Sequence, residues 1–510
     1  MADPNLHDMV TLAPDSRETE LELDTIPTLA NNDVTSSKSA KEFDTDPFLV
    51  IFDQHYDAEN PLDWRDGRKW IVTDVLSATG FNRIMVSTIM APALSTIASD
   101  LDMSAAESAM SLSIYLLASA FGPLVMSPLS EMYGRRVILH SSNVWFLVWN
   151  VVCGFAATKE VLIASRFLAG FGASGIYALA GGVMGDIWRP EQRGRGLGIY
   201  LLIPLLGAAV GPIIGGFIAE RSHWRWIFWS TSAFQAAMTI MSFFCFYESY
   251  GPHILRRRAE RLRKETGNNS FHTESQRFDG GRSAATVFMR AITRPLRLLM
   301  FHPIIQVSSI LQGFNYGILY ITLSTFSTLW IFHYHQSLEI SGLHYIACSL
   351  GELAGSQASA RLMDHFYNHR QQGRGFSPES RIPLMIPGII AAWSGALIYG
   401  WTAEYRVHWL AVDVGVFTLL AGMQISDMSI MAYVIDSYGE HTSSAMAAQQ
   451  FVKSLAAFLF PLFAPSMYHT LGYGWTNSVL ALAGFVLTFM LPLFVWKYGA
   501  RLRARAISTY

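Results

Sequence analysis

The chain has 510 residues, 51% of them hydrophobic, 13% aromatic and only 15% charged, where a soluble globular protein carries about 25% charged residues. With a mean hydropathy of +0.27 and 3 cysteines, this excludes a disordered chain, a disulfide-built scaffold and a soluble globule. The formal net charge of -2 suggests no nucleic-acid partner, and the class that remains is an integral membrane protein with many spans.

Residues 1–65 are rich in Ser, Thr, Asp and Glu and read as a disordered cytoplasmic tail, because they cannot bury enough apolar surface to offset ordering entropy. No positively charged start followed by an apolar run is present, so no cleaved signal peptide is expected and the first span serves as the insertion signal. A bilayer core about 30 Å thick needs about 20 apolar residues per helix. Stretches of that kind lie at 70–96, 106–128, 136–157, 160–185, 196–219 and 225–247, and again at 302–330, 339–361, 383–402, 408–435, 443–468 and 475–497. They are too long for the strands of a β-barrel. The expected fold is all-α: twelve transmembrane helices in two six-helix lobes, 66–247 and 301–498. A cytoplasmic central loop, 248–300, joins the lobes, and a cytoplasmic tail, 499–510, closes the chain.

Orientation follows from the basic residues. Arg135, Arg136 and Arg189, the cluster Arg256, Arg257, Arg258, Arg261, Arg263 and Lys264, and Lys497 and Arg501 fall on one side if both termini are cytoplasmic. The opposite loops are short, with Arg221, Arg225 and Arg406 as exceptions. The sequon Asn268-Asn269-Ser270 then sits on the cytoplasmic side and is expected to be unused. Cys153, Cys245 and Cys348 fall inside spans and read as packing residues. This layout suits a two-lobed secondary transporter. By itself it leaves open a channel, a membrane enzyme or a receptor.

The fifth span carries Gly207-Ala-Ala-Val-Gly211-Pro212-Ile-Ile-Gly215-Gly216. Gly207, Gly211 and Gly215 share one helix face, where a partner helix can approach closely, and Pro212 removes a backbone hydrogen bond. After the second span, Glu131-Met-Tyr-Gly134-Arg135-Arg136 combines an acid, a turn-permitting glycine and paired arginines, a composition suited to a charge latch. The fourth span carries Arg166-Phe-Leu-Ala169-Gly170-Phe-Gly172, and a guanidinium at that depth is costly unless it meets a polar cavity or a partner. Gly170-x-Gly172-x-x-Gly175 mimics a dinucleotide fingerprint, but no strand precedes it, and no cofactor is expected.

These strings resemble three motifs of the major facilitator superfamily. The Gly207–Gly216 string is similar to its antiporter motif, intact at every defined position. The latch resembles its cytoplasmic G-x-x-x-D-R-x-G-R-R motif, with Ser127 for the first Gly, Glu131 for Asp and Met132 for the first Arg. Arg166 matches the arginine that the family links to proton coupling, with Ala169 where the family has Gln. With Asn60-Pro-Leu-Asp-Trp64 before the first span and Tyr316, Tyr320, Tyr433 and Tyr438 later, the chain looks like the fungal-type exporters of the twelve-span drug:proton antiporter branch. The resemblance implies the major facilitator fold and a central cavity lined by spans 1, 4, 7 and 10. It places Asn82, Arg83, Tyr177, Gln312, Asn315, Tyr316, Gln424 and Asp427 on the spans that line it.

Asp74, Glu352, Asp413 and Asp427 are the candidate proton carriers, beside Arg166 and with Lys453 as a further intramembrane charge. Arg83 and Arg166 suit an anionic substrate or pair with carboxylates. The functional expectation is a proton-coupled exporter of a small organic molecule (a drug, a toxin or a secondary metabolite), acting as a monomer in the plasma or a vacuolar membrane. The partners are then a small-molecule substrate, protons and the lipid bilayer. An uptake symporter of the same fold and a non-transporting receptor are the alternatives. With no HExxH, no Cys/His metal spacing and no phosphate-binding Gly-Lys-Ser/Thr loop, no enzyme and no ATP-driven pump is expected.

Overall fold

A computed structural model describes residues 46–53, 56–279, 284–370, 378–438 and 442–507. The disordered tail expected at residues 1–45 lies outside them. Eight stretches of the described residues are long and apolar enough to cross a bilayer, and the one at Ser444–Leu502 is long enough to cross twice. Three further long helices are more polar, which brings the membrane helices to twelve. In the first lobe they are α1 (Asp66–Thr88), α2 (Ala105–Tyr133), α3 (Arg135–Gly154), α4 (Lys159–Ile187), α5 (Pro190–Arg221) and α6 (Arg225–Cys245). In the second they are α7 (Pro303–Thr328), α8 (Leu338–Arg370), α9 (Met385–Glu404), α10 (Trp409–Tyr438), α11 (442–471) and α12 (473–507).

Local sequence sets the breaks. Ser104 and Glu107 form a reciprocal capping box at the start of α2, with Ser104 Oγ accepting from the Glu107 N–H at 3.2 Å and Glu107 Oε2 from the Ser104 N–H at 2.8 Å. Gly134, at φ 97°, separates α2 from α3. Gly472, at φ 73°, divides α11 from α12, and the Glu404 carboxylate accepts there from the Tyr473 and Gly474 N–H groups. The first span ends sooner than its apolar run suggests: α1 stops at Thr88 and a separate short helix covers Leu94–Asp100. At the other end, α12 continues past residue 498 to Ile507.

Two regions outside the spans are more ordered than composition suggests. The central loop holds helices at Gly251–Thr266 and Ala284–Phe301. Residues 50–64, read with the tail, are clasped to the first of these and the turn beyond it. Arg258 Nη1 donates to Asp57 Oδ2 at 2.6 Å, Arg261 pairs with Glu59, and the Val50 N–H donates to the His272 carbonyl at 2.8 Å. Asn60 caps the turn at Pro61–Asp63, Asp63 pairs with Arg189, and the Arg68 guanidinium lies 4.0 Å from both the Trp64 and Tyr247 rings. Composition misses this because the partners lie some 200 residues away.

The lobes meet along two lines. Helix α2 packs on α11, with Phe121 edge-on to Phe451 at 5.5 Å. Helix α5 packs on α8: a Cβ at Gly216 would press on the Leu338 carbonyl oxygen at 2.7 Å, and one at Gly342 on the Pro212 carbonyl oxygen at 2.8 Å. Arg221 pairs with Glu339 at the end of this contact, and the Leu338 N–H donates to Glu220 Oε2 at 3.3 Å.

Candidate functional site

Between the lobes lies a narrow cavity of about 180 Å³, lined by α1, α4, α5, α7, α8, α10 and α11. Of the residues expected there, Tyr177, Asn315, Tyr316, Gln424 and Asp427 line it. Asn315 Nδ2 donates to Asp427 Oδ1 at 2.8 Å, and Gln312, behind the wall, donates to the Asp427 backbone carbonyl at 3.3 Å. Glu352, expected only as a proton carrier, also lines the cavity, as do Tyr320 and Lys453. Lys453 Nζ stands 4.9 Å over the Tyr316 ring, and Tyr316 is edge-on to Tyr320 at 5.2 Å. Asp427 and Lys453 both act electrostatically on Glu352. The site therefore holds two carboxylates, one ammonium and three tyrosine rings, with Met423, Met428 and Met431 as adaptable apolar wall.

Asn82 and Arg83 are not part of this wall. Asn82 is buried and donates to Gln235 Oε1 at 2.8 Å. Arg83 turns into the first lobe, where Nη2 donates to Asn143 Oδ1 at 2.6 Å and the guanidinium lies 3.7 Å from the Phe146 ring. Arg166 is equally buried: Nε donates to the Ser111 carbonyl at 3.3 Å and Nη1 to the Val86 carbonyl at 3.1 Å, over the Tyr115 ring. Neither arginine meets a carboxylate among the described residues, and Arg83 Nε and Nη1 and Arg166 Nη2 have no partner. The sequence shows a charge inside a span, but the direction of the side chain depends on helix rotation, which neighbouring helices decide. Asp74 is exposed on α1 and does not line the cavity.

Asp413 lies elsewhere, in a cleft between α8 and α10. Its Oδ2 is 2.8 Å from His344 Nδ1. No sequence pattern flagged His344; the one available signal was an imidazole inside an apolar run.

The latch residues form a network inside the first lobe. Arg135 Nε pairs with Asp186 Oδ2 at 3.3 Å and Nη1 donates to Ser130 Oγ at 2.7 Å. Glu248, beyond α6, caps α3 by accepting from the backbone N–H groups of Arg135 and Arg136 at 2.9 and 3.1 Å. A Cβ at Gly134 would collide with that carboxylate. Arg136 donates to the Phe243 carbonyl at 3.1 Å. Glu131, expected as the acid of the latch, is exposed, and the carboxylates that engage Arg135 and Arg136 are Asp186 and Glu248. Gly207, Gly211 and Gly215 all face α1: their Cβ positions would meet the carbonyl oxygens of Phe81, Met85 and Ile89. Pro212 and Gly216 turn to α8.

Residues 76–461 match the family model of the Major Facilitator Superfamily. A protein of Aspergillus flavus named "Probable efflux pump mfs2" is 52% identical over 424 residues, 83% of this chain and 100% of that protein. "Efflux pump vrtL" of Penicillium aethiopicum is 39% identical, covering 92% of this chain and 93% of its own length. Among solved structures, the proton:xylose symporter XylE bound to 6-bromo-6-deoxy-D-glucose superposes with a TM-score of 0.61 at 16% identity, covering 85% of this chain and 96% of that one, a likeness of fold. Twelve membrane helices in two lobes, a cavity between them and a family match over three quarters of the length agree: the chain belongs to the Major Facilitator Superfamily, as a multi-pass membrane secondary transporter and not an enzyme.

Proposed function

We propose that this transporter exports a small aromatic molecule, uncharged or cationic, in exchange for protons. The observation that carries the reading is the midplane cavity, where Glu352 and Asp427 outnumber Lys453 and the Tyr177, Tyr316 and Tyr320 rings offer stacking faces. A volume of about 180 Å³ is below the roughly 300–1,000 Å³ of ordinary ligand pockets, so a substrate enters only as the lobes part. Protonation of Glu352 or Asp427 weakens its attraction to Lys453, and this biases the two arrangements of the lobes. The names of the relatives and the intact Gly207–Gly216 string support export over uptake. Drugs, toxins and secondary metabolites all include such molecules.

In this reading Arg166 is a positioning residue that ties α4 to α1 beside the cavity. Arg135 and Arg136 with Gly134 stiffen the cytoplasmic end of the first lobe, and Gly207, Gly211, Pro212, Gly215 and Gly216 let α5 seal against α1 and α8. Residues 66–247 and 301–498 are the rocking lobes of a monomer in the plasma membrane. The test uses the full chain in liposomes with ethidium, a neutral anthraquinone and salicylate as cationic, neutral and anionic probes. Glu352→Gln and Asp427→Asn are each expected to lower pH-gradient-driven flux by about tenfold or more while leaving exchange at equal pH. Movement of salicylate alone, or of none of the three, would refute the reading.

A further inference from the structure

His344 lies on α8 and Asp413 on α10, both buried, on the half of the second lobe where these helices begin. His344 Nδ1 is 2.8 Å from Asp413 Oδ2, and its Nε2 is 2.9 Å from Gln336 Oε1. A ring whose two nitrogens both face oxygen acceptors donates from both and carries the extra proton. With the Gln336 amide turned over, its NH2 donates to a bare Nε2 and the ring is neutral. The pair thus has two hydrogen-bonded states that differ by one proton, and Gln336 satisfies either.

The surroundings are built for this ring. The Trp330 indole stacks on it at 3.6 Å and 9°, and Trp409 meets it edge-on at 5.8 Å. Trp330 sits in a π-helical turn, Leu329–His333, at the end of α7, a distortion that recurs at functional sites. Two residues on, His335 adopts φ 57°, a left-handed conformation uncommon for a side-chain-bearing residue. This turn delivers Gln336, whose N–H donates to the Trp330 carbonyl at 2.9 Å. A cleft of about 500 Å³ opens beside the pair, with apolar walls that include Ile340, Leu343, Leu410 and Phe417. Asp413 Oδ1 is buried there without a partner.

We infer that His344 and Asp413 form the loading site for the external proton, which then passes along α8 to Glu352; this rests on the proton-coupled export proposed above. A proton from outside water binds His344 Nε2. The Nδ1 proton moves to Asp413 Oδ2, leaving the ring neutral. The Asp413 carboxyl gives it to water, and water gives it to the Glu352 carboxylate. One proton enters, one arrives, only N–H and O–H bonds change, and the ring, left as its Nε2–H tautomer, regains the Nδ1–H tautomer by losing one proton to water and taking one back before the next enters. Glu352 is eight residues along α8 from His344, about 12 Å at 1.5 Å per residue. Between them the Ser349 hydroxyl is buried without a partner. Among the described residues, the other titratable or charged groups near the pair are Tyr334 and Arg406, Cys348 one turn along α8 from His344, and His408 beside Trp409.

Two readouts on the full chain test the assignment. The first is tryptophan emission against pH in detergent, taken as parent minus Trp330→Phe, because a protonated imidazole quenches a stacked indole. The expected result is a Trp330-dependent loss of emission on acidification, present in Glu352→Gln and absent in His344→Gln. The second uses liposomes with ethidium, or with the anthraquinone where the parent moves only that: His344→Gln and Asp413→Asn keep exchange at equal pH within about twofold and lose pH-gradient-driven flux by about tenfold or more. A parent with no Trp330-dependent titration overturns the loading site, as does gradient-driven flux that survives both substitutions, or equal loss of exchange and driven flux in both. A parent that moves neither ethidium nor the anthraquinone counts against the exporter reading instead, and the Trp330 titration then decides the pair alone.

Discussion

Arg83 keeps a fully buried guanidinium on Asn143 and Phe146 rather than on the cavity surface, and so its charge is not presented to a substrate. Arg83→Ala is therefore expected to leave the preference among ethidium, an anthraquinone and salicylate unchanged while lowering the overall rate, as the Asn143 amide loses its partner. Parallel flux measurements on the three probes check this. A selective loss of salicylate movement would return Arg83 to the substrate path. The same reasoning moves attention to Glu352 and Lys453, which share the cavity with Asp427. Their positions in sequence mark them only as charges in apolar runs, as they do Arg83; what separates them is the direction each side chain takes from its helix.

At the scale of single elements, the clasp on residues 50–64 has a defined pH response. Burial pushes the Asp57 carboxyl up, but the Glu59 N–H, the Arg258 guanidinium and the Asp53 N–H outweigh burial and leave it below its ordinary 3.8. A carboxyl whose pKa is lower folded than unfolded contributes stability that is present above the unfolded value and lost as pH falls through the folded one. The clasp should therefore hold at neutral and mildly acidic pH and release only in strong acid. Limited proteolysis at neutral pH should cut Asp57→Asn within residues 50–64 faster than the parent, by about threefold or more. Equal rates would mean that the clasp does not depend on this carboxylate. The segment shows how far composition reaches: its polar residues look like the rest of the tail, and the Asn60-Pro-Leu-Asp-Trp64 string marked the family but not the order found there.

For the whole molecule, the proposed rocking of the lobes makes the α5–α8 contact the one expected to open and close. Gly216 and Gly342 lie against one another, the Cβ position of Gly216 being 3.6 Å from the Gly342 Cα, and a Cβ at either would press on a carbonyl oxygen of the facing helix. Gly216→Val and Gly342→Val are each expected to keep the contact from closing and to lower pH-gradient-driven flux by about tenfold or more, measured on protein that elutes from gel filtration as the parent does. Driven flux equal to the parent's in both variants would show that the lobes need not close along this line. The contact was half legible: the glycine spacing at 207, 211 and 215 foretold a close-packed face, but its partner, the α1 backbone, and the separate engagement of Gly216 with α8 appear only in three dimensions.

Sequence alone determined the membrane class, the approximate places of the twelve spans, the close-packing face of the fifth and the family. These depend on composition, run length and short-range spacing, which a linear chain carries in full. Tertiary structure decided which intramembrane charges reach the cavity, that Asp186 and Glu248 engage the latch arginines, that residues 50–64 are held, and that His344 faces Asp413. Those outcomes depend on helix rotation and on partners 50 to 200 residues apart, and packing among all twelve helices is what sets them.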